Sequence, residues 1–234
     1  MKRLIPILII LAVLSTAVAG FWYLKHEANN VPSPPIATAA PGAPAAPANT
    51  APADASPGAQ PAHFRGSEKA AVTLEEFGDF ECPPCGELYP MLKGIEAEYG
   101  PRLKVIFREF PLTPNHPHSL AAARAAEAAG MQGKFFEMHD LIYENQKTWK
   151  EMFDVRAVYE GYAKTIGLDV ERWKKDQLSE TVEQRIFLDG TRAHALGVKG
   201  TPSVYLNGTE VPFPELTPDG LRKAIKAAFE KAGQ

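Results

Sequence analysis

Hydrophobic and polar positions along the chain fall into four kinds of pattern. From Leu4 to Leu24 the residues are uncharged and almost wholly apolar. From about His26 to Ala62 there is no periodicity, and the residues are mostly Ala and Pro, with Asn, Ser, Thr and Gly. Beyond His63 short β-type and longer helix-type periods alternate. Val72 and Leu74 alternate with Thr73 and Glu75 ahead of Glu76-Phe77, the pattern of a buried strand within Ala71–Phe80. A helical run follows from Gly86 to Tyr99, with Gly100-Pro101 as its stop signal. Leu103 to Phe110 is rich in Val, Ile and Phe and ends at Pro111, which predicts a second strand. Strand, helix, strand at this spacing is a βαβ unit, so the two strands should be parallel with a right-handed crossover.

From about His118 to Leu196 the periodicity is helical throughout. It comprises the Ala-rich Ser119–Ala129, the stripe of Phe135, Phe136, His139 and Ile142, a helix near Val155–Ile166 closed by Gly167, one capped by Asp169, and one over Val182–Leu196. Ser203–Leu206 and Thr209–Val211 read as strands joined by Asn207-Gly208, the signature of a type I′ hairpin. Thr217-Pro218 then starts a last helix running through Lys231, with the cap residue followed by Pro at the first helical position.

The chemistry centres on Cys82-Pro83-Pro84-Cys85, the only cysteines among 234 residues. They lie where the first strand hands over to the helix, with Cys82 at or near the N-cap. The free N–H groups and positive dipole end of a helix favour a thiolate there. Pro83 suits the first turn, where a missing N–H costs nothing, and Pro84 adds stiffness. A zinc site needs four ligands and no second pair exists. His116 and His118, in a Pro-rich loop, have no evident ligand partners and suit local packing. A disulfide closing so short a loop stabilises little. A redox role is the reading that remains.

Composition limits the alternatives. With 28 acidic and 25 basic residues the net charge is −3, which gives nucleic acid no electrostatic footprint. No Gly-rich phosphate loop is present. Residues 1–25 read as a membrane anchor or signal segment. The uncharged run spans roughly 30 Å as a helix. Lys2 and Arg3 orient it with the remainder outside the cytoplasm. Ala17-Val18-Ala19 resembles a cleavage site, but the run continues to Phe21-Trp22-Tyr23-Leu24 before Lys25. Aromatics followed by a charge suit an outer interface, so an uncleaved anchor is favoured over secretion after cleavage near Ala19. Residues 26–62 read as an extended linker, and residues 63–234 as the folded domain.

This order, with the cysteines at the first helix, resembles the thioredoxin fold with the helical insertion of the DsbA-like family. The likeness is carried by Glu76-Phe77-Gly78-Asp79-Phe80-Glu81-Cys82-Pro83-Pro84-Cys85, Phe107-Arg108-Glu109-Phe110-Pro111-Leu112, Gln132-Gly133-Lys134-Phe135-Phe136 and Gly197-Val198-Lys199-Gly200-Thr201-Pro202. It implies an α/β fold and an extracytoplasmic thiol–disulfide oxidoreductase in which Cys82 is the nucleophile and Cys85 the resolving thiol. It implies that Glu76 is the buried carboxylate serving the inner cysteine. It makes Pro202 the cis-proline opposite the cysteines, with Thr201 offering backbone groups to a substrate peptide. No cofactor is expected beyond the redox-active disulfide. The expected partners are exported protein thiols and a membrane quinone-linked reoxidant of the DsbB or VKOR type, and a monomer is expected. Pro-Pro stands where the well-known oxidases carry Pro-His or Pro-Tyr. That departure leaves the direction of electron flow open. The compartment and the missing dimerisation domain favour a dithiol oxidase, against a reductase or isomerase in the same compartment and a non-catalytic peptide-binding module. An isomerase usually adds an N-terminal dimerisation domain, whose place here holds only the Ala/Pro stretch.

Overall fold

The computed structural model describes residues 50, 52 and 55–233. The apolar run Leu4–Leu24 and most of the linker lie outside them. Five strands form one sheet: β1 (His63–Arg65), β2 (Val72–Gly78), β3 (Leu103–Glu109), β4 (Ser203–Leu206) and β5 (Thr209–Val211). Their order is β1-β3-β2-β4-β5, with β2 and β3 parallel and every other pair antiparallel. The βαβ unit is closed by helix α1 (Pro83–Tyr99). Helix α1 runs on through Pro90, whose ring removes one ladder N–H.

The helical insertion comprises α2 (Ser119–Gly130), α3 (Phe135–Glu144), α4 (Gln146–Trp149), α5 (Arg156–Thr165), α6 (Val170–Asp176) and α7 (Glu180–Ala195). Helix α8 (Pro218–Lys231) ends the fold. Caps fall where short polar side chains reach back to free N–H groups. Asp169, Ser179 and Thr217 accept from Arg172, Val182 and Gly220. Asn207 and Gly208 have φ of 46° and 79°, the left-handed pair that a type I′ turn demands.

The sheet separates two environments. On one face Val72, Leu74, Leu103, Val105 and Val204 pack with Leu88, Leu92 and Ile95 of α1 and Leu221, Ile225 and Phe229 of α8. On the other, Phe77 and Tyr205 meet Ala193 and Leu196 around the end of α7. A third core lies within the insertion and reaches Phe80, Cys82 and Cys85. The Ala-rich pattern of α2 has a packing cause. Ala122, Ala123, Ala125, Ala126, Ala128 and Ala129 have no exposure, and small side chains on every side let neighbouring helices approach closely. Trp149 and Trp173 are fully buried, with their indole N–H groups donating to Ile142 and Ala125 carbonyls at 2.7 and 3.0 Å. Truncating either should cost about 3–5 kcal/mol.

Two features depart from the sequence reading. Strand β1, not anticipated, is three residues long and pairs antiparallel with β3, too short to show an alternation. The boundary at residue 62 moves toward the N-terminus, because residues 55–62 are packed onto the domain. Ala59 is 1% exposed and its N–H donates to Asp189 at 2.8 Å. The carbonyls of Ser56, Pro57 and Ala59 accept from Arg192 and Arg108, and those of Gln60 and Pro61 from Arg185. A segment of Pro, Ala and Gly offers carbonyls that no ladder uses, and the arginines take them up.

Candidate active site

Cys82 is the N-cap of α1, with extended backbone (φ −64°, ψ 120°), and Pro83 and Pro84 fill the first turn. The first helical N–H left to face Cys82 is therefore that of Cys85. Both cysteines are buried, Cys82 retaining 4% exposure and Cys85 none. The Cys82 thiol donates to the Thr201 carbonyl at 3.3 Å, which sets the 197–202 loop against the helix N-terminus. The Thr201–Pro202 peptide is cis. Thr201 Oγ1 is buried without a partner, leaving a hydroxyl that can turn to a thiolate.

These contacts drive the two cysteines apart electrostatically. Hydrogen bonding from the Cys85 thiol, then from Thr201 and the Cys85 backbone, lowers the Cys82 pKa to about 6, against burial and the charge of Asp79. Burial first, then the neighbouring Cys82 and Glu76, pushes Cys85 well above the ordinary thiol value. A thiolate on Cys82 beside a protonated Cys85 is the arrangement of an attacking and a resolving thiol.

Glu76 lies behind this pair. It is 4% exposed, its Oε1 has no partner, and burial raises its pKa to about 8, with Glu96 and Cys82 adding to the shift. The strand period accounts for its place, since residues 72, 74 and 76 of β2 share the face covered by α1. Cys82, Cys85, Glu76, Thr201 and Pro202 are thus gathered at one end of the sheet, from β2, α1 and the loop before β4.

Other residues hold the site, and of these Gln146 and Glu109 were not singled out by sequence. Gln146 in α4 donates from Nε2 to the carbonyls of Phe80 and Cys82, both at 2.8 Å. Asp79 Oδ1 accepts the Glu81 N–H, while Oδ2 accepts the Leu112 N–H and meets His116 Nδ1, all at 2.8 Å. Glu81 accepts the His118 N–H at 2.6 Å, and His118 Nε2 meets the Met152 carbonyl. His116 and His118 thus have separate partners that tie the 111–118 loop to the approach to Cys82. Glu109, at the end of β3, is 1% exposed with neither oxygen partnered. The one available signal was a Glu ending a strand rich in Val, Ile and Phe.

A family model described as Thioredoxin matches residues 59–227. The chain belongs to this thioredoxin family. Among solved structures it is similar to the thiol-disulfide exchange protein alpha-DsbA2 from Wolbachia pipientis, at 25% identity and TM-score 0.61, covering 72% of this chain and 87% of that one. It is also similar to a thioredoxin-like oxidoreductase from Silicibacter pomeroyi DSS-3, at 28% identity and TM-score 0.58, covering 72% and 94%. BdbD from Bacillus subtilis, at 20% identity and TM-score 0.63 over 80% and 98% of the chains, shares the fold. This thioredoxin-family chain has the fold of the DsbA-like thiol–disulfide oxidoreductases. Curated relatives include proteins named Na(+)/H(+) antiporter NhaA 1 from Salinispora arenicola, 38% identical over 167 residues, and from Mycolicibacterium gilvum, 37% over 150. The matches cover 71% and 62% of this chain but 24% and 23% of those relatives. The chain thus spans about a quarter of their length.

Proposed function

We propose that the protein is a dithiol oxidase that introduces disulfides into exported proteins outside the cytoplasm. The observation carrying this reading is the split between the cysteines, with Cys82 lowered to about 6 and Cys85 raised. A disulfide is oxidising when its reduced form is preferentially stabilised, and a stable thiolate on Cys82 does that. In the first step a substrate thiolate attacks Cys82 Sγ. A substrate–Cys82 bond forms, the Cys82–Cys85 bond breaks, and its electron pair leaves on Cys85. Glu76, neutral below about pH 8, would give that thiolate a proton. A second substrate thiolate then attacks the substrate sulfur of the mixed disulfide. The substrate disulfide forms, Cys82 leaves as thiolate, and two electrons have passed to the enzyme. A membrane quinone-linked protein of the DsbB or VKOR type would take those electrons and restore the disulfide. Thr201 and Pro202 would present backbone to an extended substrate, with no cofactor other than the disulfide and the enzyme acting as a monomer. The apolar run before Lys25 would anchor it in the membrane with the domain outside.

A reductase in the same compartment is the second reading. It is favoured by Asp79, whose charge opposes the Cys82 thiolate, and by the two N–H groups that Pro83 and Pro84 remove. Equilibration of the full-length protein with glutathione redox buffers separates the two. The oxidase reading expects a potential well above that of thioredoxin, and a value near about −270 mV rejects it.

A further inference from the structure

Behind Cys85 the fold buries several polar atoms with no partner among the described residues: Glu76 Oε1, the Tyr143 hydroxyl and both carboxyl oxygens of Glu109. Unpaired buried polar groups destabilise a protein and ask for an explanation. These four atoms belong to side chains that the fold brings together. Glu76 and Gly78 share one face of β2. Gly78 stands opposite Glu109 in the parallel register of β2 and β3. The Tyr143 hydroxyl, from α3, lies over Gly78, where a Cβ would come within 3.0 Å of it. The missing side chain at position 78 thus makes room for the Phe107 ring, which a Cβ would strike, and beside it for the Tyr143 hydroxyl, which the charges of Glu76 and Glu109 both reach.

The groups around each member fit a chain of donors. Glu109 faces Glu127 of α2, Asp189 and Arg185 of α7, and Asp79 of the turn before α1. Burial, then the three carboxylates, opposed by one guanidinium, push its pKa well above the ordinary value, which favours the protonated carboxyl with an O–H to give. Tyr143 is likewise kept neutral, by burial and then by Cys85, Glu76, Glu109 and Asp79.

We propose that Glu109 and Tyr143 are positioning residues for Glu76, forming a one-way hydrogen-bond chain that receives the Glu76 carboxylate once it has given its proton to Cys85. Glu109 donates to the Tyr143 oxygen, and the Tyr143 O–H turns to Glu76 directly or through one buried water. When the disulfide opens, its electron pair goes to Cys85 Sγ and the proton of Glu76 follows. No proton leaves Tyr143 or Glu109; each only orients its O–H. The inference rests on the reading of Glu76 as the acid that serves Cys85.

The test follows the ionisation of Glu76 in the full-length reduced protein, by carbon NMR of labelled Glu carboxyl groups. Its resonance is identified by its loss in Glu76→Gln. Tyr143→Phe and Glu109→Leu should each raise the Glu76 midpoint by about one pH unit, because a hydrogen bond to the charged form has been lost. Both should slow exchange at neutral pH several-fold. Glu109→Gln keeps an N–H donor and should leave the midpoint near that of the unsubstituted protein. A midpoint unmoved in both Tyr143→Phe and Glu109→Leu overturns the chain while leaving the role of Glu76 intact. If Glu76→Gln exchanges at the unsubstituted rate, the reading of Glu76 fails and the chain falls with it. Tyr143→Phe is isosteric and removes only an unpaired hydroxyl, so it decides the matter alone if Glu109→Leu does not fold.

Discussion

Glu75 and Glu76 are neighbours on one strand, both nearly sealed from water, and they have opposite fates. Glu75 points to the α7 face, where Arg192 holds both its oxygens at 2.6 and 2.7 Å and Arg108 donates at 2.7 Å. Burial alone would raise its pKa, but the two guanidiniums lower it, so it stays charged. Glu76 points to the α1 face, meets no cation and is raised to about 8. A buried carboxylate is structural when its charge is matched, and available for proton traffic when it is not. The alternation of a β-strand makes it possible to have one of each at consecutive positions.

The largest way to break this contrast is on the matched side. Arg108→Met strands Asp189, which takes the guanidinium at 2.9 Å, leaves Glu75 to Arg192 alone, and should cost about 3–5 kcal/mol in denaturant unfolding. Exchange per folded molecule should be unchanged, and an equal loss of activity would contradict the division of labour. The next effect has the opposite sign. Glu76→Gln should stabilise by roughly 1–3 kcal/mol at pH 8 and slow exchange about 10²-fold.

The sign follows from proton counts. An unfolded Glu76 ionises near 4.5 and the folded one near 8. Between these values the folded state holds the extra proton, so stability falls as pH rises across that window. Unfolding curves of Glu76→Gln should lack that slope, and a slope unchanged by the substitution would count against the buried charge.

Smaller again is the titration of Cys82. Alkylation of the reduced protein should rise with pH around a midpoint of about 6. Because that pKa is lowered on folding, the stability it contributes to the reduced form is complete above the unfolded thiol value and is lost as pH falls through 6. A midpoint near 8.5, the free-thiol value, would remove the case for a stabilised thiolate. The smallest effect is expected from Thr201→Val, which removes the hydroxyl beside Cys82 and should raise that midpoint by less than about one pH unit.

Much of this was legible in the chain. The strand parity that puts Glu76 with Val72 and Leu74, the handover at Cys82 and the Asn207-Gly208 turn are all local patterns, and local patterns survive folding. What escaped was set by distant partners. The capture of residues 55–62 depends on Arg108, Arg185 and Arg192, whose free donors no local pattern shows. Nothing around Gln146 marks it as a clamp, since the two carbonyls it binds are more than sixty positions away. Glu109 reads as an ordinary strand end until β3 is set beside Gly78.

Gln146 carries one more consequence. Its amide is a rivet between the short helix α4 and the turn that delivers Cys82. Opening of α4 therefore unfastens the carbonyls on either side of Glu81, and loosening of that turn frees α4 in return. The two segments should breathe as one cooperative unit, exchanging their amide hydrogens with a shared opening free energy although they are far apart in sequence. Seen in this way, the helical insertion sets how often the reactive cysteine is released from its fixed geometry.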